Sequence, residues 1–254
     1  MLFDNVSGTL RRFLGALLLL PVAAVVWASP MSAGIVVALL AFIMAYEFSK
    51  MVAWPPGVRA TIILLIALQA LPLWLFDGGA WWHFSLAFMA AVTAMFFQTS
   101  VMALFGLVLC ICLYCVALLL SQPDGHMLLI GGAAIIAACD SAAYFVGRFV
   151  GGPKLAPVIS PNKTISGSLG GMVAAIIFTI ILAPLFGLDA FTAAQVGFGV
   201  GVLSQCGDLF ESAVKRAADI KDSGTIIPGH GGLLDRFDGY LFAIPGLYLI
   251  LFVV

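Results

Sequence analysis

The sequence predicts an all-α integral membrane protein, a polytopic helix bundle with about nine transmembrane helices, and three observations carry that reading. Hydrophobic residues fill 63% of the 254 positions and charged ones only 9%, far from the balance of a water-soluble domain. Apolar runs of about twenty residues, each enough to cross a hydrocarbon core of roughly 30 Å, recur along nearly the whole chain. The basic residues, finally, sit only in alternate gaps between those runs.

The spans are read over 13–29, 31–49, 60–76, 81–97, 100–120, 127–147, 167–187, 190–209 and 239–254. Backbone polar groups in lipid must be paired within the segment, so each span is a helix. Arg11 and Arg12 before the first run, with Ala28 and Ser29 behind it, share features with a secretory signal. The run is nonetheless long enough to stay as the first helix, and the later spans make a cleaved leader unnecessary.

Orientation follows from the charges. With the N-terminus inside, Arg11 and Arg12, then Lys50 and Arg59, then Arg148, Lys154 and Lys163, then Lys215, Arg216, Lys221 and Arg236 all fall on one side. The opposite gaps hold only Asp77, His83, Asp124, His126 and Asp189. Under the positive-inside rule the basic loops are cytoplasmic, which predicts a protein of the cell (inner) membrane with its N-terminus and active site on the cytoplasmic face. Trp54, Trp74, Trp81 and Trp82 lie near span ends, where amphipathic rings anchor at the headgroups. A net charge of −1 and the absence of a basic tract give no reason to expect a nucleic-acid partner. Cys110, Cys112, Cys115, Cys139 and Cys206 are odd in number and nearly all within apolar spans, so they read as packing residues, not a disulfide framework.

No repeat or linker divides the chain, so residues 1–254 read as a single membrane domain. Residues 1–138 are mainly scaffold helices, and 139–254 form a catalytic half with two cytoplasmic loops. Asp140 lies in an otherwise apolar span, where a carboxylate must face a cavity, a partner or an ion. Tyr144 and Arg148 follow it at steps of four on the same helical face. The segment from Ser160 through Lys163 and Thr164 to Ser168 ends one loop and opens a helix, with Ser166 or Ser168 as the expected cap; hydroxyls, an ammonium and a helix N-terminus together favour an anion.

The densest signal runs from Ser204 to Asp238. On a helix, Asp208, Glu211, Ser212 and Lys215 share one face. Arg216, Lys221 and Asp222 follow, then Pro228, Gly229, His230, Gly231 and Gly232, then Asp235, Arg236 and Asp238. Converging carboxylates offer hard oxygen ligands suited to Mg²⁺ or Mn²⁺, and the cations would neutralise substrate phosphates. That is the logic of phosphoryl or nucleotidyl transfer.

The pattern Ser212-x-x-Lys215-Arg216-x4-Lys221-Asp222-x-Gly224-x3-Pro228-Gly229-His230-Gly231-Gly232-x2-Asp235-Arg236-x-Asp238 closely resembles the signature of phosphatidate cytidylyltransferases, also called CDP-diglyceride synthases. Asp140-x-x-Ala143-Tyr144-x-x-Gly147-Arg148, Ile159-Ser160-Pro161-x-Lys163-Thr164 and Gly207-Asp208-Leu209-Phe210-Glu211-Ser212 are similar to other blocks of that family. One departure stands out: the family usually has Glu in Lys-Thr-x-Glu-Gly, where this chain has Ser166.

The resemblance implies transfer of CMP from CTP to phosphatidic acid, giving CDP-diacylglycerol and pyrophosphate in phospholipid biosynthesis. It implies Mg²⁺, with room for a second cation, held by Asp208 and Asp235, and a catalytic set that adds Lys215, Arg216, Lys221, Asp222 and Arg236. Substrate binding would fall to Asp140, Tyr144, Arg148, Ser160, Lys163, Thr164, Ser212, His230, Gly231 and Gly232. A homodimer within the lipid bilayer is implied too. Two competing readings are a CTP-dependent polyprenol or dolichol kinase, which would release CDP, and an ion-coupled transporter, which would bury its charges near the midplane and not at one membrane face.

Overall fold

The structure is a computed structural model, and it describes residues 19–51, 100–224, 226 and 231–253. The expected spans 60–76 and 81–97, with Arg11, Arg12, Trp54, Arg59, Trp74, Asp77, Trp81, Trp82, His83 and His230, lie outside the described residues. The described helices are α1 (Leu19–Ala28), α2 (Pro30–Met51), α3 (Ser100–Leu120), α4 (Gly125–Val150), α5 (Ile165–Leu182) continuing through a 3₁₀ turn (Ala183–Phe186), α6 (Ala190–Ala217), the short α7 (Leu234–Phe237) and α8 (Tyr240–Phe252). Among the described residues three stretches, Pro30–Met51, Gly125–Val150 and Ile165–Phe186, are long and apolar enough to cross a membrane.

Two features depart from the expected outline. The loop after α4 is not irregular: β1 (Lys154–Ala156) and β2 (Ser160–Thr164) pair antiparallel, with Lys154 opposite Thr164 and Ala156 opposite Ser160. Gly151 and Gly152, at φ 66° and 101°, turn the chain out of α4 into this hairpin through a region that only glycine enters readily. The second departure is the end of α6, which reaches Ala217 and not 209. Falling hydropathy marks where the apolar span stops; the hydrogen-bonded helix carries on, with Glu211, Val214 and Lys215 buried.

Small residues bring the helices together, as expected where lipid supplies no hydrophobic force between them. A Cβ on Gly167 would lie 2.6 Å from the Ala143 carbonyl oxygen, and one on Gly171 2.9 Å from that of Cys139, so α4 and α5 cross almost backbone to backbone. Gly197 meets the Ile176 Cα in the same way, at 2.7 Å, and packs α6 on α5. Phe48, Phe105, Phe210 and Phe242 form a relay of rings, with centroids 5.2, 5.9 and 5.3 Å apart, that joins α2, α3, α6 and α8.

Candidate active site

Most of the predicted residues gather at one end of the bundle, where α2, α4 and α6 end and α5 and α8 begin. The first pairing joins two distant motifs: Lys163 on β2 is ion-paired with Asp208 on α6. Asp140 on α4 lies within electrostatic reach of Asp208, Lys163 and Arg236. Ser212 stands one turn beyond Asp208, its hydroxyl 3.4 Å from Oδ1. Gly207 permits the arrangement, since a Cβ there would stand 2.5 Å from the Asp238 carbonyl oxygen.

A second group lies beside the first. Lys215 Nζ donates to Asp235 Oδ1 at 2.6 Å and stands 3.6 Å from Glu211 Oε1. Asp235 also accepts from the backbone N–H of Ser223, 2.9 Å from Oδ2, and from that of Gly232 at 2.8 Å. Burial pushes the Asp235 carboxyl up, but Lys215 and these N–H groups outweigh it and hold it below the ordinary range. Burial pulls Lys215 down, and its two carboxylate neighbours more than restore it.

Glu211 is fully buried, and neither carboxylate oxygen has a hydrogen-bond partner. Desolvation, only partly offset by Lys215, raises it to about 7. Asp238 is raised well above its usual value by burial and by the negative charges of Asp208 and Glu211. Asp140, Asp208, Glu211 and Asp238 therefore crowd negative charge into one place while the hydrogen bonds leave part of it unmet. Hard oxygen donors of this kind fit a divalent cation. Among the described residues no three His, Cys, Asp or Glu side chains are already drawn close enough to hold one.

Other predicted residues are spent elsewhere. The hydroxyl of Thr164, and not Ser166 or Ser168, caps α5 by accepting from the Gly167 N–H at 3.1 Å. Ser166 Oγ donates to the Gly151 carbonyl and Ser168 Oγ to Gln205. Where the family carries Glu, this chain thus ties the helix start to the α4 exit. Arg148 Nη1 donates to the Tyr144 hydroxyl at 2.9 Å, so that row exists, on an exposed face. Arg216 turns to the Ile220 carbonyl at 3.1 Å and closes the end of α6. Ser160 begins β2, Lys221 and Asp222 are exposed, and Gly231 has φ 83° with Asp222 beside it. The Gly232 N–H serves Asp235 and is not turned outward to a phosphate.

Sequence reasoning missed Glu47. This α2 residue, from the half read as scaffold, is buried against the loop that carries the signature, where its oxygens accept from the backbone N–H groups of Leu233 and Leu234, each at 2.9 Å. The signal was available. A lone acid in an apolar run is as costly at Glu47 as at Asp140.

A model described as "Cytidylyltransferase family" matches residues 9–254. A phosphatidate cytidylyltransferase of Bacillus subtilis is 49% identical over 123 residues, covering 46% of this chain and 44% of that protein. One from Brucella suis is 48% identical over 135 residues, 50% of this chain and 48% of its own. One from Staphylococcus haemolyticus is 41% identical over 133 residues, 52% and 51%. The chain thus spans about half the length of the curated relatives it matches.

Proposed function

The chain belongs to the cytidylyltransferase family, and from that premise we propose that it transfers CMP from CTP to phosphatidic acid, giving CDP-diacylglycerol and pyrophosphate. The observation that carries this reading is the ion pair between Lys163 and Asp208, which brings two separate signature blocks to one polar end of an apolar bundle. A lipid phosphate arriving from the bilayer and a nucleotide arriving from water can both reach such a place.

In the proposed step an oxygen of the lipid phosphate attacks the α-phosphorus of CTP. A new P–O bond forms, the bond to the β-phosphate breaks, and pyrophosphate carries away the electron pair. The nucleophile is already anionic near neutral pH, so no strong base is required. The barrier is repulsion between anions and their alignment. Lys163, Lys221 and Arg236 supply positive charge towards the phosphates. Lys215, held by Asp235 and Glu211, keeps the α6 face and the signature loop in register.

Mg²⁺ would be held by Asp208 and Asp235, with Glu211 and Asp238 beside them, and would neutralise triphosphate charge. Asp208 has an ammonium partner that a cation can replace. Asp235, bonded by Lys215, Ser223 and Gly232, would have to give up one of these contacts. The proposal also includes the nine-helix topology, an inner-membrane location with the site on the cytoplasmic face, and a homodimer. The charge pattern supports the first two, and the family resemblance supports the dimer.

The test is purified protein in detergent with α-labelled CTP, phosphatidate and Mg²⁺. The expected product is lipid-linked CMP. Label recovered only in CDP, together with a phosphorylated lipid alcohol, would overturn the reading in favour of a lipid kinase.

A further inference from the structure

Glu47 closes the loop between α6 and α7 from across the bundle. It is 1% exposed and is the only acid of α2. Its oxygens accept from the Leu233 and Leu234 N–H groups, each at 2.9 Å, and Oε2 lies 3.4 Å from the Ser223 hydroxyl. Asp235 binds the same two loop ends, through the Ser223 and Gly232 N–H groups. Two carboxylates, one from each half of the chain, therefore staple Ser223 to the residues that open α7.

The fit around Glu47 is close. A Cβ on Gly224 would stand 2.5 Å from Oε1, and one on Gly232 2.7 Å from Oε2 and 2.1 Å from the Ser223 Oγ. A side chain at either of these signature positions would displace the Glu47 carboxylate from its contacts, a reason for their glycines that needs no phosphate. Lys50, one turn on, is placed over the Tyr46 ring, 4.4 Å from its centroid. The buried charge is met by backbone N–H groups of the very segment that carries Asp235, Arg236 and Asp238.

We propose that Glu47 is a positioning residue for the transfer reaction: by holding both ends of the 223–235 loop it sets Asp235, Arg236 and Asp238 opposite Asp208 and Lys215. This inference rests on the cytidylyl-transfer reading. Glu47 itself has no part in the chemistry. Its influence passes through the loop, so it should act on the alignment of reacting groups more than on substrate affinity.

Glu47→Gln keeps the size but replaces one acceptor with an NH₂ group facing backbone donors. The expected result is a kcat at least tenfold lower with KM for CTP and phosphatidate within threefold. Hydrogen exchange should quicken in peptides covering 223–238 while those covering 125–150 and 190–205 stay unchanged. Glu47→Asp keeps the charge on a shorter stem and should recover part of the kcat with a smaller change in exchange. A kcat within twofold of the unmodified protein overturns the proposal, as does a tenfold rise in KM at unchanged kcat. Faster exchange spread over every helix overturns it as well, by reducing Glu47 to a general support of the fold. If Glu47→Gln fails to accumulate in membranes, Glu47→Asp decides by exchange: no quickening over 223–238 relative to 125–150 and 190–205 overturns the proposal. The exchange measurement requires no turnover, so a chain that makes no lipid-linked CMP would refute the reaction and leave the loop contact independently tested.

Discussion

Gly207→Ala tests the geometry most directly, because one methyl group is driven between two segments of the site. Its Cβ would lie 2.5 Å from the Asp238 carbonyl oxygen, 3.2 Å from that of Gly239 and 3.3 Å from the Gly239 Cα. All three are backbone atoms and cannot rotate away. Relief requires α6 and the start of α8 to separate by about 0.5 Å or more, and close-packed interiors resist such movement. Overpacking of this kind costs about 1–3 kcal/mol of stability. The catalytic cost should be larger, because Asp208 adjoins the inserted methyl and moves away from Arg236 and Asp238. A misplacement of about 1 Å can cost about a hundredfold, so a loss of tenfold or more in kcat/KM is expected from half that shift. Gly199→Ala is the control on the same helix: its Cβ would meet only the Ile250 side chain, Cδ1 at 2.6 Å and Cγ1 at 4.0 Å, an end that can rotate away. It should retain activity within threefold. Initial rates with labelled CTP and a thermal unfolding midpoint in detergent measure both effects. Equal, near-normal behaviour of the two variants would refute the backbone contact between α6 and α8.

Three further outcomes are expected. Asp208→Asn and Asp235→Asn should each abolish turnover while the protein remains inserted and folded, and near-normal rates in either variant would remove that residue from the proposed cation site. Lys163→Met should lower kcat/KM by about a hundredfold, by removing a phosphate-facing cation and leaving Asp208 without its ion-pair partner; a change below threefold would argue against the joint role of the two motif blocks. Glu211 should give stability a pH dependence in chelator-treated protein. Its carboxyl is raised from 4.5 to about 7, chiefly by burial, so the protonated form favours folding. The contribution is complete below pH 4.5 and is lost as pH rises through about 7, a difference on the order of 3 kcal/mol. Denaturant titrations of the unmodified protein should therefore weaken across that window relative to Glu211→Gln; parallel curves would show that Glu211 is not desolvated.

What was legible in the sequence, and what was not, divides along the range of the interactions concerned. Apolar runs report burial in lipid directly, which is why α2 through α5 and the start of α6 fall where hydropathy puts them. Helical spacing reports neighbours a turn apart, so the pairs Tyr144 with Arg148, Asp208 with Ser212 and Glu211 with Lys215 were readable and are present. The hairpin of β1 and β2 was not, because Lys154–Ala156 and Ser160–Thr164 have little strand propensity and pair through a register imposed by the Gly151–Gly152 exit and by Ile165, whose N–H bonds the Pro153 carbonyl. The α5 cap was misplaced for a related reason: Thr164, Ser166 and Ser168 are all competent, and only the positions of Gly151 and Gln205 decide which hydroxyl is left for the helix.

Glu47 shows the harder limit. Its partners lie 176 to 187 residues away, and nothing in the local pattern of α2 names them. Its cost, however, was visible: a carboxylate near the end of an apolar helix must be met by donors from somewhere. The signature loop supplies them, through the Leu233 and Leu234 N–H groups. An unexplained buried charge in α2 and an unexplained need for glycine in the signature loop are each ambiguous alone. Together they point to one contact, and a reading that confines function to the half bearing the motif is bound to overlook it.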